Sequence, residues 1–297
     1  MNNERKVIRD TILDREKLRH VSRVKRLWTN PRRTFVYYIF ALLSHIKPYT
    51  LSFKTLWGTT MTSYLPEGNT FYYYGYCEAN LTNFLLRFLK EGDIVIDVGA
   101  HVGIYTMLSS FLVGKTGQVH SFEPTPWTYD LLVKNSKGLT NVHLNNKAVS
   151  DVATVLSFKD YGPGYGAYNT AHKNGSPLGK KSKTIYSETV VLDDYCKKKN
   201  ITPTLIKLDA EGHEYPILLG MSTLLQSVRP MITLEVAGEK DWLENCKQSI
   251  NLLTEKGYLP YEISVEGKIR PHSFKDSYKY DNLLFIPEGM NITYDTH

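Results

Sequence analysis

From Ile94 onward the chain alternates short apolar runs with amphipathic segments, and that alternation constrains its fold more than any other feature. Ile94–Val98 reads as a buried strand, apolar apart from Asp97, and a helix follows over Tyr105–Leu112. The pattern repeats as strand 118–123, helix 126–137 and strand 142–145. It resumes as helix 193–199, strand 205–209, a helix from Tyr215 to about Leu225 and strand 231–236. Helix 243–256 and strands 258–263 and 281–286 complete it. Strand–helix alternation at this pitch predicts an α/β fold, a mostly parallel sheet covered by helices on both faces. No internal repeat competes with this reading. Residues 161–183, rich in Gly, Lys and Tyr, stand out as one long loop.

In open parallel sheets ligands bind beyond the carboxyl ends of the strands, where strand order reverses. Four strand ends carry the residues of interest. Asp97-Val-Gly99-Ala-His-Val-Gly103 joins the first strand to its helix, and its glycines let backbone turn tightly and approach a ligand. A carboxylate before the first glycine suits a ligand with an ammonium group. Glu123 ends the second strand, 24 residues after Gly99, where an acid accepts hydrogen bonds from ribose hydroxyls. Asn145-Asn-Lys-Ala-Val149 ends the third, within reach of an adenine edge. Leu205-Ile-Lys-Leu-Asp209-Ala-Glu211-Gly-His213-Glu214 ends the fourth, bringing two carboxylates, a lysine and an imidazole within eight residues. Lys207 and Asp209 alternate and so share a face, where the lysine lowers the carboxyl's pKa. Glu235, ending the fifth strand, is placed beside them.

These segments together resemble the FkbM family of S-adenosylmethionine-dependent methyltransferases. The resemblance rests on Asp97-Val-Gly-Ala-His-Val-Gly103, Phe122-Glu-Pro124, Leu192-Asp-Asp194, Ile206-Lys-Leu-Asp-Ala-Glu-Gly-His-Glu214 and Ile232-Thr-Leu-Glu235. Tyr74-Gly-Tyr-Cys-Glu78 also looks like the stretch that precedes the family's first core strand. The match covers about residues 70–290, and His101 stands where the family commonly has Asn. The resemblance implies a class I methyltransferase (Rossmann-like) sheet of seven strands, the last antiparallel, with S-adenosylmethionine as cofactor. It places Asp97, Gly99, Ala100, His101, Gly103 and Thr106 around the methionine part, with Glu78 nearby. Glu123 and Pro124 fall at the ribose, and Asn146 and Ala148 near the adenine. It implies O-methylation of a hydroxyl on a sugar or glycan, glycolipid or secondary metabolite. Asp209 is the expected base or orienting group, also touching cofactor, with Lys207 steering its charge and His213 or Glu235 as alternative bases. Asp209, Glu211 and Glu235 could also offer oxygen ligands to a divalent metal, though no spacing demands one. A non-catalytic cofactor-binding or membrane-adaptor protein on the same fold is the alternative.

Other classes fit less well. The Asn/Asp-Pro-Pro-aromatic segment of amino-group nucleic-acid methyltransferases is absent, and no cysteine precedes proline as a cytosine-C5 enzyme requires. A nicotinamide enzyme needs G-x-G-x-x-G, which Ala100-His101 breaks. The three cysteines are far apart, which argues against a disulfide scaffold or zinc site and for a reducing, cytoplasmic setting. The first residues lack the apolar run of a signal peptide.

The formal charge of +6 is unevenly spread. Residues 1–33 hold 11 Lys/Arg against 4 Asp/Glu, so the remainder is near neutral and no nucleic-acid partner is expected. Residues 1–46 read as a basic, amphipathic helical arm interrupted at Pro31, and 35–46 is too short to cross a bilayer. The arm is expected to dock on the body, to join a homo-oligomer or to lie peripherally on a membrane. Residues 47–90 form a small β element and lead-in helix, with 66–69 turning between two extended runs and Asn80 or Thr82 capping the helix. Residues 91–297 make up the methyltransferase domain.

Overall fold

The computed structural model describes residues 2–19, 23–43, 48–65, 67–166, 181–237, 240–276, 278, 281–290 and 292. Its centre is an eight-stranded sheet. β3 (Ile94–Val98), β4 (Gln118–Phe122), β5 (Val142–Asn145), β9 (Leu205–Leu208) and β10 (Met231–Val236) run parallel. β13 (Asp281–Pro287) inserts antiparallel between β10 and β11 (Tyr258–Ile263), giving the order β5-β4-β3-β9-β10-β13-β11. This is the expected seven-stranded class I methyltransferase sheet with its last strand antiparallel. β12 (Ile269–Pro271) adds an eighth, edge strand by a hairpin on β11. Every residue of β9 and β10 is buried, as befits strands covered on both faces.

Helices α6 (Ile104–Val113), α7 (Pro126–Asn135), α8 (Leu192–Lys199), α9 (Glu214–Leu219) and α10 (Lys240–Glu255) connect the strands, close to their expected places. The helix expected to run to Leu225 stops at Leu219, and a π-helical turn covers Leu224–Val228. Asp193 accounts for that turn's position, accepting from the N–H groups of Thr223 (2.7 Å) and Leu224 (2.9 Å).

Several expectations need correction. The chain does turn at 67–68, where the Gly68 N–H donates to the Tyr64 carbonyl (2.7 Å), but from strand into helix. The hairpin turn of the small β element lies at Thr55–Thr59, closed by the Thr55 N–H on the Thr59 carbonyl (2.9 Å), between β1 (Tyr49–Lys54) and β2 (Thr60–Leu65). The expected second extended run is helix α4 (Asn69–Tyr74), ended by Gly75 at φ +79°. Aromatic residues favour strands in isolation, but burial of Phe71, Tyr73 and Tyr74 on one helix decides otherwise. α5 spans Ala79–Phe88 with Glu78 at its N-cap, ahead of Asn80 and Thr82. A second, unanticipated sheet joins β6 (Ala148–Val149), β8 (Lys183–Val190) and β7 (Val155–Asp160). The expected loop therefore ends before Lys183, and its residues 167–180 lie outside the described residues.

At the start, α1 (Asn2–Arg19), α2 (Arg23–Thr29) and α3 (Pro31–Leu43) follow in succession, with Pro31 opening a helix where its missing N–H costs nothing. α1 is docked on the body. Ile8 and Ile12 join the main core cluster, and Arg5 donates to the carbonyls of Leu89 and Leu112 (2.8 Å to the latter). Tyr76 donates to Glu16 at 2.6 Å.

Candidate active site

Strand order reverses between β3 and β9, and a cavity opens beyond their carboxyl ends. Its empty volume is about 1070 Å³ including space open to solvent. Small-molecule sites run to roughly 300–1,000 Å³. The wall includes Gly99, Ala100 and His101 after β3, Glu123 and Pro124 after β4, Ala148, and Lys207, Asp209, Glu211 and His213 around the end of β9.

Backbone geometry explains the glycine after β3. Gly99 has φ +73°, and a Cβ there would stand 1.7 Å from the Asp209 carbonyl oxygen, so the two loops meet only at a glycine. His101 also has positive φ (52°), and its N–H donates to Glu123 Oε2 at 2.9 Å. Thr125 N–H donates to Glu123 Oε1 at 2.9 Å. Glu123 is thus held facing the cavity from both sides. Burial raises its pKa, with His101 opposing.

At the other rim Lys207 Nζ lies 2.7 Å from Asp209 Oδ2 and 3.7 Å from Asp97 Oδ1. Burial pushes the Asp209 carboxyl up, but the Lys207 ammonium outweighs it and holds the group below the usual range. Glu211 and Glu235 move the other way, raised first by burial and then by Asp209. Glu214 accepts from the N–H groups of Ala210 (2.8 Å) and Gly212 (3.2 Å), which shapes the loop that presents Asp209 and Glu211. Burial pushes Glu214 up to about 7. Oxygens of Asp209, Glu211 and Glu235 fall within 4.8 Å of one another, the one group among the described residues able to hold a metal ion. The Lys207 ammonium already lies against this trio.

Several expected site residues stand elsewhere. Asp97 does not reach the cavity. It is 1 % exposed, accepts from Thr106 Oγ1 at 2.6 Å, and faces Lys207, its register partner on β9. An ammonium does meet it, but from the protein. Thr106 is spent on Asp97 and Ser121 (2.8 Å). Gly103, at φ +94°, forms the N-cap of α6 and packs on Leu132. Asn146 turns its amide to the carbonyls of Glu123 (2.9 Å) and Pro124 (3.3 Å), while Ala148 remains on the wall. Glu235 is buried behind the wall, 1 % exposed. His213 lines the cavity, with Nε2 3.0 Å from Ser150 Oγ.

Other wall residues come from outside the motifs. Glu67 pairs with His101 at 3.0 Å and accepts from Gly166 N–H at 3.2 Å, joining the β2–α4 link to the loop after β7. The ion pair, led by Glu67 and Glu123, raises the His101 pKa against the effect of burial. Glu78 lies on the wall as expected, fixed by Tyr105 OH (2.7 Å) and Asn282 Nδ2 (2.9 Å). Phe71, Tyr105 and Phe158 supply apolar wall. Only Glu78 among these had a sequence signal, because the others arrive from separate elements.

The wall carries Glu67, Glu78, Glu123, Asp209 and Glu211 in one cavity, with His101, Lys147 and Lys207 among them. A protein 31 % identical over 162 residues is the hexuronic acid methyltransferase AglP of Haloferax volcanii; the match takes in 54 % of this chain and 63 % of that protein's length. Among solved structures, methyltransferase FkbM from Methylobacillus flagellatus KT aligns with TM-score 0.42 and 15 % identity, over 68 % of this chain and 45 % of that one. Aeropyrum pernix fibrillarin aligns with TM-score 0.39 and 12 % identity, over 70 % and 76 %. The methyltransferase FkbM domain model matches residues 97–260, from within β3 into β11. That segment is more than half of the chain, and this protein belongs to the methyltransferase FkbM domain family.

Proposed function

We propose that this chain binds S-adenosylmethionine at the carboxyl ends of β3, β4 and β9 and methylates a hydroxyl of a sugar-bearing acceptor. The observation that carries the reading is one cavity holding both Glu123, in the position for ribose hydroxyls, and the Lys207-fixed Asp209. Family membership and the hexuronic acid methyltransferase likeness support the sugar class. The residues fit the cofactor: Glu78 and Glu123 border the cavity that a ligand with two cationic centres would enter, and Gly99 lets the loop after β3 close against the Asp209 carbonyl.

Bound S-adenosylmethionine would supply an electrophilic methyl group on a sulfonium. Glu123 accepts the ribose hydroxyls, and Glu78, locked by Tyr105 and Asn282, draws the ammonium end. Asp209 accepts the hydrogen bond of the acceptor hydroxyl and orients its oxygen for in-line attack. Asp209 would take up the proton of the acceptor hydroxyl as its oxygen is methylated. Its lowered pKa makes Asp209 a charged orienting group before it is a base.

Labelled-methyl transfer onto a panel of neutral sugars, uronates and extracted glycolipids tests the reading. Asp209→Asn should bind cofactor normally and lose about 100-fold in turnover. Turnover within about threefold of wild type removes Asp209 from the reaction, and transfer to none of the acceptor classes contradicts the function.

A further inference from the structure

Asp209, Glu211 and Glu235 converge from two neighbouring strand ends. Thr233 on β10 is the register partner of Lys207 on β9, so Glu235, two residues further on, shares a face with Lys207 and Asp209. Glu211 is presented by the turn between β9 and α9, where it adopts φ +51°. Glu214 holds that turn from within, and Asn245 on α10 fixes it from outside. The Asn245 amide donates to the Gly212 carbonyl (2.6 Å) and accepts from the Tyr215 N–H (3.1 Å). The carboxyl oxygens of the three acids lie within 4.8 Å of one another. Hard divalent cations hold oxygens at about 2.0–2.6 Å, so two ligands across one ion stand about 4–5 Å apart. The trio has that spacing.

Glu235 supplies the second observation. It is 1 % exposed, and neither of its oxygens meets a hydrogen-bond donor among the described residues. The group it does meet is another carboxyl, that of Asp209. Two acids in contact need a cation or a shared proton between them. Lys207 is already divided between Asp97 and Asp209. A proton joins one pair of acids and leaves Glu211 beside them, whereas one dication answers all three. The donor set is carboxylate oxygen alone, which selects Mg²⁺, Ca²⁺ or Mn²⁺ over softer metals. Asp209 and Glu211 line the cavity and Glu235 lies behind them, so the ion would sit in the wall with one side toward the cavity. A carboxylate offers about four lone-pair sites, enough for Asp209 to serve Lys207, the ion and an acceptor hydroxyl together.

We propose that Asp209, Glu211 and Glu235 form a binding site for one hard divalent cation. Its test uses neither cofactor nor acceptor, so it can fail while the methyl-transfer reading stands, and the reverse. Full-length protein, stripped with a chelator and dialysed, is titrated with Mn²⁺ while free Mn²⁺ is read by electron paramagnetic resonance. One Mn²⁺ should bind per chain, Mg²⁺ or Ca²⁺ should displace it, and the melting temperature should rise with cation concentration. Glu235→Gln and Glu211→Gln keep side-chain volume and remove a charge, and each should lose about tenfold or more in Mn²⁺ affinity. Glu255→Gln, at an exposed acid outside the trio, should bind as the wild type does. If Glu235→Gln fails to fold, Glu211→Gln decides. Absence of Mn²⁺ binding by the wild type, or affinity within about twofold of it in the folded trio variants, would overturn the proposal. So would a melting temperature indifferent to cations but raised by Glu235→Gln, the behaviour of acids that share a proton.

Discussion

Replacing Lys207 with methionine keeps most of the side-chain volume and removes the one cation that, among the described residues, lies within 4 Å of both Asp97 and Asp209. The lysine side chain is 5 % exposed and that of Asp97 1 %, so Asp97 cannot turn to water, whereas Asp209 borders the cavity. Asp97 Oδ1 has no hydrogen-bond partner and depends on that ammonium. Breaking a buried pair from one side costs about 3–5 kcal/mol. For a domain of this size that corresponds to a fall in Tm of roughly 6–20 °C. The pH dependence is specific. Burial already raises the Asp97 carboxyl against the pull of Lys207; without the lysine Asp97 rises further and Asp209 rises as well, so the folded variant binds more protons than its unfolded state. Stability of the variant then falls as pH rises from about 4 toward neutrality. Differential scanning fluorimetry of both proteins at about pH 5 and about pH 7.5 should give a deficit that is larger at the higher pH. A deficit below about 2 °C at neutral pH, or one equal at both pH values, would refute the role given to Lys207.

Three further outcomes follow from the same geometry. Gly99→Ala puts a Cβ 1.7 Å from the Asp209 carbonyl, so the β3–α6 and β9–α9 loops separate, and cofactor titration should weaken at least about tenfold. Glu214 has a folded pKa of about 7, above its unfolded value, so it lowers stability as pH rises from about 4.5 to 7; Glu214→Gln should raise Tm at about pH 8 and leave it near wild type at about pH 5, and a gain at the lower pH alone would reverse the sign. Asn135 on α7 bonds both the N–H (2.8 Å) and the carbonyl (2.9 Å) of Thr62 and also the Val102 carbonyl (2.7 Å), so Asn135→Ala should cost about 2–3 kcal/mol by denaturant titration and speed proteolysis of the β1–β2 hairpin.

The central sheet was legible because its strands are short apolar runs buried on both faces, and little else in a sequence resembles them. The strand ends were legible for the same reason: glycine at Gly99 and acids at Glu123 and Asp209 break those runs abruptly. Adjacency in sequence misled at Asp97. It stands two residues before Gly99, yet strand register aims it at Lys207, below the cavity floor. Glu67 meets His101, and Asn282 meets Glu78 across 204 positions, by tertiary packing that no local pattern encodes. The β6–β8–β7 sheet leaves little trace in the sequence because β7 and β8 carry Ser, Thr, Lys and Glu among their apolar residues and are only partly buried. α4 was read as a strand because three consecutive tyrosines favour one locally, while the core favours a helix.

Isothermal titration of S-adenosylmethionine into the full-length protein and into Glu123→Gln tests the central claim most directly. The account predicts a single site in the wild type and an affinity lower by about tenfold or more in the variant, since a charged acceptor for the ribose hydroxyls becomes neutral. Absence of binding to the wild type, or identical affinities, would contradict it.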